Sequence, residues 1–468
     1  MTPNGTTPND PTPNDPTPNG GKGNGPKGNG APGAEYVIGH GDHRYRVQHY
    51  DLDLVYKVAT NHLVGTATLS VVALAELREL SLDLAGLHVS RVRVDGRPPA
   101  RYAHRGHRLD VRLAAVATAG TALTVQVTYA GKPRPVHGVH GGAGWEELSD
   151  GVLVGSQPHG APSWFPCNDR PSDKASYRVS LAAPSGYHVA GNGTLTARST
   201  KGGQTTWVYE QAEPMASYLA SLQIGRYVVT DVATGATRPD GTAVPVEIVH
   251  PPHVKVGAGT AFARQGRMVA TFEQLFGPYP FGSYRVVVTD DPLEIPLEAQ
   301  GLSSFGANHA VAGWENERLV AHELSHQWFG NSLTVAHWRD IWLHEGFACY
   351  SEWLWSQESG GPSADSRART HHARLAALPQ DLVVGDPGPR LMFDDRVYKR
   401  GALTLHALRT VVGDQAFFGL LRAWTTEHAY GLVTTTAFWA HAQAFSTTPL
   451  VDLAEKWLFT RRLPKLPG

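Results

Sequence analysis

The apolar residues of this chain change period once, near residue 240, and that change limits what the chain can fold into. From Tyr36 to about Gly235 they alternate with period two, as in Leu80, Leu82 and Leu84, in Leu109, Val111 and Leu113, and in Leu123, Val125, Val127 and Tyr129. Such runs predict half-buried antiparallel strands, parted by turn signals such as Asp95-Gly96-Arg97-Pro98. Past the loop Arg238-Pro239-Asp240-Gly241 and a short strand over Val244 to Val249, helical spacing is expected from about Gly257 to Leu275. Apolar positions then recur mostly at three and four residues to near Trp457. The expected fold is multi-domain α+β, with an all-β sandwich or saddle over 36–235 and a mainly helical domain over 236–468.

Residues 1–35 stand outside this pattern. They repeat Thr-Pro-Asn from Thr2, Thr7, Thr12 and Thr17 and continue as a Gly/Asn/Lys/Pro stretch. With almost nothing apolar to bury, the segment predicts a disordered low-complexity tail. In the chain as a whole, 41 basic residues stand against 42 acidic ones. That balance makes no case for nucleic acid or an anionic membrane as partner. The two cysteines, Cys167 and Cys349, are no disulfide framework. Neither a signal peptide nor a run of about 18 apolar residues is present, so a cytoplasmic location is expected.

The chemistry lies in the second region. His322-Glu323-Leu324-Ser325-His326 is H-E-x-x-H, and Leu319, Val320 and Ala321 before it favour a helix. Residues four apart on a helix lie about 40° apart, so both imidazoles reach one metal ion with Glu323 beside it. The five-residue pattern alone can arise by chance among 23 histidines. A third ligand must therefore be found. The candidate is Glu345, in Asp340-Ile341-Trp342-Leu343-His344-Glu345, where Asp340 is a candidate helix cap. Two histidines and a glutamate leave a fourth position open for water, as hydrolytic zinc requires. His344 points about 100° away from Glu345 on a helix and is expected behind the ligands or at the surface. Zinc lowers the pKa of its water to about 7, and Glu323 is placed to take the proton as that water attacks a peptide carbonyl.

The stretch from His322 to Glu352, with Gln327-Trp328-Phe329-Gly330-Asn331 inside it, resembles the aminopeptidase N family of gluzincins. The resemblance runs from about Tyr36 to the C-terminus and includes Phe276-Gly277-Pro278-Tyr279-Pro280-Phe281 and Lys456-Trp457-Leu458. It implies one Zn2+ per chain on His322, His326 and Glu345, Glu323 as general base, and a reduced two-domain form with a thermolysin-like catalytic domain. It also implies that Tyr398, in a Tyr-x-x-Gly segment ending at Gly401, supports the transition state. The family's Gly-x-Met-Glu-Asn-x-Gly-Leu stretch stands here as Ile295-Pro296-Leu297-Glu298-Ala299-Gln300-Gly301-Leu302. Glu298 is retained to bind a substrate α-ammonium, while the Gly, Met and Asn around it are replaced. A further element, Thr-Gln-x-Glu, stands as Ser156-Gln157-Pro158-His159, leaving Gln157 as a candidate substrate contact and His159 at the usual acidic position.

The function expected is that of a zinc aminopeptidase, which hydrolyses the N-terminal bond of peptides with a free N-terminus by metal-activated water. A zinc endopeptidase of thermolysin type is the alternative if Glu298 does not face the metal, and a non-catalytic peptidase-like scaffold is a third reading. The sequence does not specify the oligomeric state, the preferred first residue or the use of the tail.

Overall fold

The computed structural model describes residues 36–234 and 242–467. The expected low-complexity tail, the Arg238–Gly241 loop and the expected domain boundary at 235/236 lie outside them.

A seven-stranded sheet forms the body of the N-terminal part. Its strands run in the order Thr194–Lys201, Gln204–Ala216, Lys174–Pro184, Tyr45–Lys57, His62–Ala73, Ala122–Gly131 and His88–Val94. All neighbours are antiparallel except Tyr45–Lys57 with Lys174–Pro184. Along Tyr45–Lys57 the buried residues are Tyr45 and Val47, then Tyr50, Leu52, Leu54 and Tyr56. The parity flips because the register shifts between Val47 and His49, where an extra residue bulges from the ladder. Asp95 and Gly96 both take positive φ, 50° and 74°, and Val94 and Arg97 exchange backbone hydrogen bonds across them. That is the tight hairpin turn an Asp-Gly pair favours. A three-stranded sheet (Leu77–Asp83, Arg108–Ala117, Arg101–Arg105) and a five-stranded one complete this β-rich part. The five-stranded sheet includes Gly151–Gly155, whose end leads into Gln157.

The second part is less purely helical than its spacing suggests. A further sheet runs in the order Val228–Asp231, Val246–His250, Tyr284–Thr289, Leu302–Gly306, Leu297–Ala299. Its three central strands are parallel. All six residues of Tyr284–Thr289 are buried, so the strand shows no alternation for a periodicity reading to find. The helix expected from Gly257 begins only at Gln265, since Gly259 takes φ +80° and 257–264 form turns.

From there helices dominate: α1 (Gln265–Phe276), α2 (Trp314–Ser325), α3 (Trp342–Glu358), α4 (Ala364–Ala376), α5 (Asp395–Val412), α6 (Asp414–Glu427) and α7 (Thr435–Gln443). One continuous apolar cluster runs from Tyr45 to Leu458, so the sheets and helices share a core rather than meeting through a polar seam. Among the described residues no helix is long and apolar enough to cross a membrane.

Candidate metal centre

α2 delivers His322 and Glu323 from its last turn and His326 from its C-cap position. α3 presents Glu345 from its first turn. Glu345 Oε2 lies 3.4 Å from His322 Nε2 and 3.5 Å from His326 Nε2. A tetrahedral zinc with bonds of about 2.0–2.2 Å holds its donors about 3.3–3.5 Å apart. The three ligand atoms fit one ion.

The remaining ring nitrogens are committed to the protein. His322 Nδ1 pairs with Glu352 Oε1 at 2.8 Å and His326 Nδ1 with Phe329 O at 3.0 Å. A carbonyl only accepts, so His326 carries its proton on Nδ1 and turns the Nε2 lone pair inward. Glu352 is held in turn by Arg318, 3.4 Å away. This carboxylate was within reach of sequence reading. It follows Glu345 by seven residues, two helical turns along the same face.

The carboxylates around the two imidazoles favour their protonated forms. Burial opposes the charge on both. Hydrogen bonds with Glu345 and Glu352 nevertheless raise His322 to about 9, and the charges of Glu298 and Glu345 raise His326 to about 10. Burial works against the Glu345 charge as well, yet the two imidazoles hold its carboxyl well below the usual range. Glu323 is the converse case: burial raises it to about 8, helped by Glu298 and opposed by His322, and its Oε2 has no hydrogen-bond partner among the described residues.

Glu298 sits on the edge strand Leu297–Ala299, and its carboxylate, that of Glu323 and a ring nitrogen of His326 lie within 4.8 Å of one another. Gln157 Nε2 donates to Glu298 Oε1 at 2.7 Å, joining residues 141 positions apart. The strand is fastened to the segment after α2. Gln327 Oε1 accepts from Gly301 N at 2.8 Å, and Gln327 Nε2 and Asn331 Nδ2 both donate to Ala299 O. Lys174, whose charge burial pulls down to about 7, donates to Asn331 O and Ser332 O from the large sheet. Gly330 takes φ +131°, and a Cβ there would come within 3.2 Å of His326 Nδ1. Sequence reading assigned no role to Gln327, Asn331 or Lys174, because their partners are backbone atoms brought in by the fold.

Tyr398 lies in the first turn of α5, its ring stacked on His322 at 6.1 Å between centroids. It gets there because α5 crosses α3 at two glycines. A Cβ on either Gly346 or Gly401 would come within 2.8 Å of the other's Cα. The Tyr-x-x-Gly spacing thus has a packing cause.

One expectation needs correction, and the fold decides two others. Asp340 does not cap α3. The N-cap is Ile341, and Asp340 Oδ1 instead accepts from Thr435 N and Oγ1 at the start of α7. His344 is not at the surface. It is fully buried, its Nε2 accepts from Val335 N at 3.0 Å, and burial pulls it down to about 3. His159 turns toward the strand Val136–Gly138, with Nε2 3.1 Å from Val136 O.

Both parts of the chain are similar to known proteins. Residues 46–219 match the Peptidase M1 N-terminal domain and residues 261–457 the Peptidase family M1 domain. The crystal structure of an M1 zinc metallopeptidase from Deinococcus radiodurans is similar at a TM-score of 0.84 and 30% identity, over 93% of this chain and 99% of that one. A mutant of that enzyme has been solved bound to a Tyr-Ser-Ala substrate. Among curated proteins, aminopeptidase M1-A of Oryza sativa subsp. japonica is 26% identical over 87% of this chain and 49% of its own length. Glutamyl aminopeptidase of Bos taurus is 24% identical over 87% and 46%. The chain spans about half the length of such curated relatives.

Proposed function

This chain belongs to peptidase family M1, and on that premise we propose that it is a zinc-dependent aminopeptidase acting on peptides with a free N-terminus. His322, His326 and Glu345 hold one zinc. When bound, zinc supplies the positive charge that polarises a carbonyl and makes water nucleophilic at neutral pH. Glu323 accepts the proton of the attacking water and passes it to the leaving amine, the task of a buried carboxylate with a raised pKa. The Tyr398 hydroxyl, whose proton burial secures, donates to the developing oxyanion. Glu298 accepts from the substrate's α-ammonium group, with Gln157 holding the carboxylate in place.

The observation that carries the reading is the position of Glu298. An α-amino nitrogen lies about 2.5 Å from the carbonyl carbon of its own residue. A carboxylate that grips the ammonium while the carbonyl reaches the metal must therefore stand within a few ångströms of the ligands. Glu298 does so, with its donor atom within 4.8 Å of those of Glu323 and His326. The test is Glu298→Gln. It should lower kcat/KM on unblocked amino-acid anilides by on the order of 10²-fold, the loss of a charge-assisted bond made at the reacting centre, with metal content unchanged. Unaltered kcat/KM would remove Glu298 from the mechanism and return the endopeptidase reading. The two buried free cysteines support a cytoplasmic location.

A further inference from the structure

A second group of metal-ligating side chains stands apart from the residues assigned to zinc. Glu427 closes α6, His428 is its C-cap, and His441 lies in the last turn of α7. We propose that Glu427, His428 and His441 form a second divalent-metal site, of the imidazole-preferring class that includes zinc, nickel and copper.

The ligand atoms of the three lie within 4.8 Å of one another, and His441 Nδ1 is already 3.5 Å from Glu427 Oε2. That is the donor separation a tetrahedral ion needs, about 3.3–3.5 Å. The tautomer of His441 is set for ligation. Its Nε2 lies 3.1 Å from Leu420 O, a carbonyl of α6 that only accepts. Nε2 therefore carries the hydrogen, and Nδ1 presents its lone pair toward Glu427, the outer-nitrogen anchoring that metal-bound imidazoles show. Trp424 holds both rings, with centroids 4.2 Å from His428 and 5.2 Å from His441. All three residues sit at helix C-terminal ends, where the terminal carbonyls favour a cation. Two nitrogens and one carboxylate oxygen select the zinc, nickel and copper class over magnesium or calcium.

The site's neighbours suggest what an ion there would do. α7 starts at Thr435, whose Oγ1 accepts from Trp342 Nε1 at 2.8 Å, and its Phe438 packs edge-on against Trp342 and Phe347 in the first turns of α3. An ion joining α6 to α7 fastens both against the helix that carries Glu345. It stabilises the fold and takes no part in turnover.

The experiment starts from enzyme carrying one zinc per chain and dialyses it against micromolar zinc. Expected are a second bound equivalent by elemental analysis and a higher thermal midpoint. His428→Gln and His441→Gln should each remove both effects, Glu427→Gln should weaken the second equivalent about tenfold, and anilide hydrolysis should be unchanged in all three. Glu427 is exposed, so its variant folds even if a histidine variant does not. In parallel, Cu2+ should quench tryptophan emission through Trp424 in the parent and much less in Glu427→Gln. Binding that stops at one zinc, a second equivalent undiminished in Glu427→Gln, or equal copper quenching in parent and variant overturns the proposal.

Discussion

His322 and His326 each commit Nδ1 to the protein and keep Nε2 for the site, but their partners differ, a carboxylate for one and a carbonyl for the other. Glu352→Gln should therefore weaken zinc binding by about 10–100-fold, measured by competition with a chelator, while the catalytic groups stay in place. Glu323→Gln should do the reverse, keeping the metal and lowering kcat by about 10²–10⁴-fold. The raised imidazoles predict a pH effect of definite sign. With His322 near 9 and His326 near 10 in the metal-free protein, zinc must displace protons at pH 7. Calorimetry in buffers of different ionisation enthalpy should show proton release at pH 7 that shrinks as pH rises through 9 to 10, with affinity falling as pH is lowered. Release that does not vary with pH would contradict the assignment of both rings as ligands. At this scale the sequence was most legible where spacing alone carries geometry, as in His322 and His326, one helical turn apart, while Glu345, on another helix, was named from the motif around it. Gln157 and Glu298 were named through the resemblance, but their meeting across 141 residues was not legible in the sequence.

Among the elements, the crossing of α3 and α5 is the one on which the site most depends, since it brings Tyr398 over His322. Gly401→Ala would place a Cβ within 2.8 Å of Gly346 Cα, and neither backbone can yield without moving its helix. The variant should lose about 1–3 kcal/mol of stability in denaturant titration. It should also lose turnover out of proportion to its zinc content, because Tyr398 moves with α5 while the ligands on α2 and α3 remain. Full activity in Gly401→Ala would show that Tyr398 is not needed where it stands. Element types followed from periodicity where one face is buried and the other wet, as in Leu109, Val111 and Leu113. Tyr284–Thr289, buried on both faces, left no such trace, and of the parallel sheet that carries the Glu298 strand at its edge only the strand near Val244 to Val249 was read. Asp340 looked like a cap because it precedes a helix, and it was taken instead by the start of α7, 95 residues on.

Across the whole molecule, the β-rich part and the helices divide the work at one centre. The sheets bring Gln157 and, through Lys174, a grip on the segment after α2, while the helices bring His322, His326 and Glu345, the proposed zinc ligands, with Glu323 and Tyr398 beside them. A shared apolar core keeps these contributions in register. The near-zero net charge gives no long-range steering by sign, so in the proposed reading selection of substrate falls to local groups, and above all to the part-buried carboxylate of Glu298. The central claim is that this protein is a zinc enzyme that requires a free N-terminus. Its most direct test is hydrolysis of matched unblocked and N-acetylated amino-acid anilides by the native protein, the chelated protein and the chelated protein restored with zinc. The account predicts cleavage of the unblocked substrates only, lost on chelation and regained with zinc. Equal cleavage of the acetylated series, or activity indifferent to chelation, would contradict it.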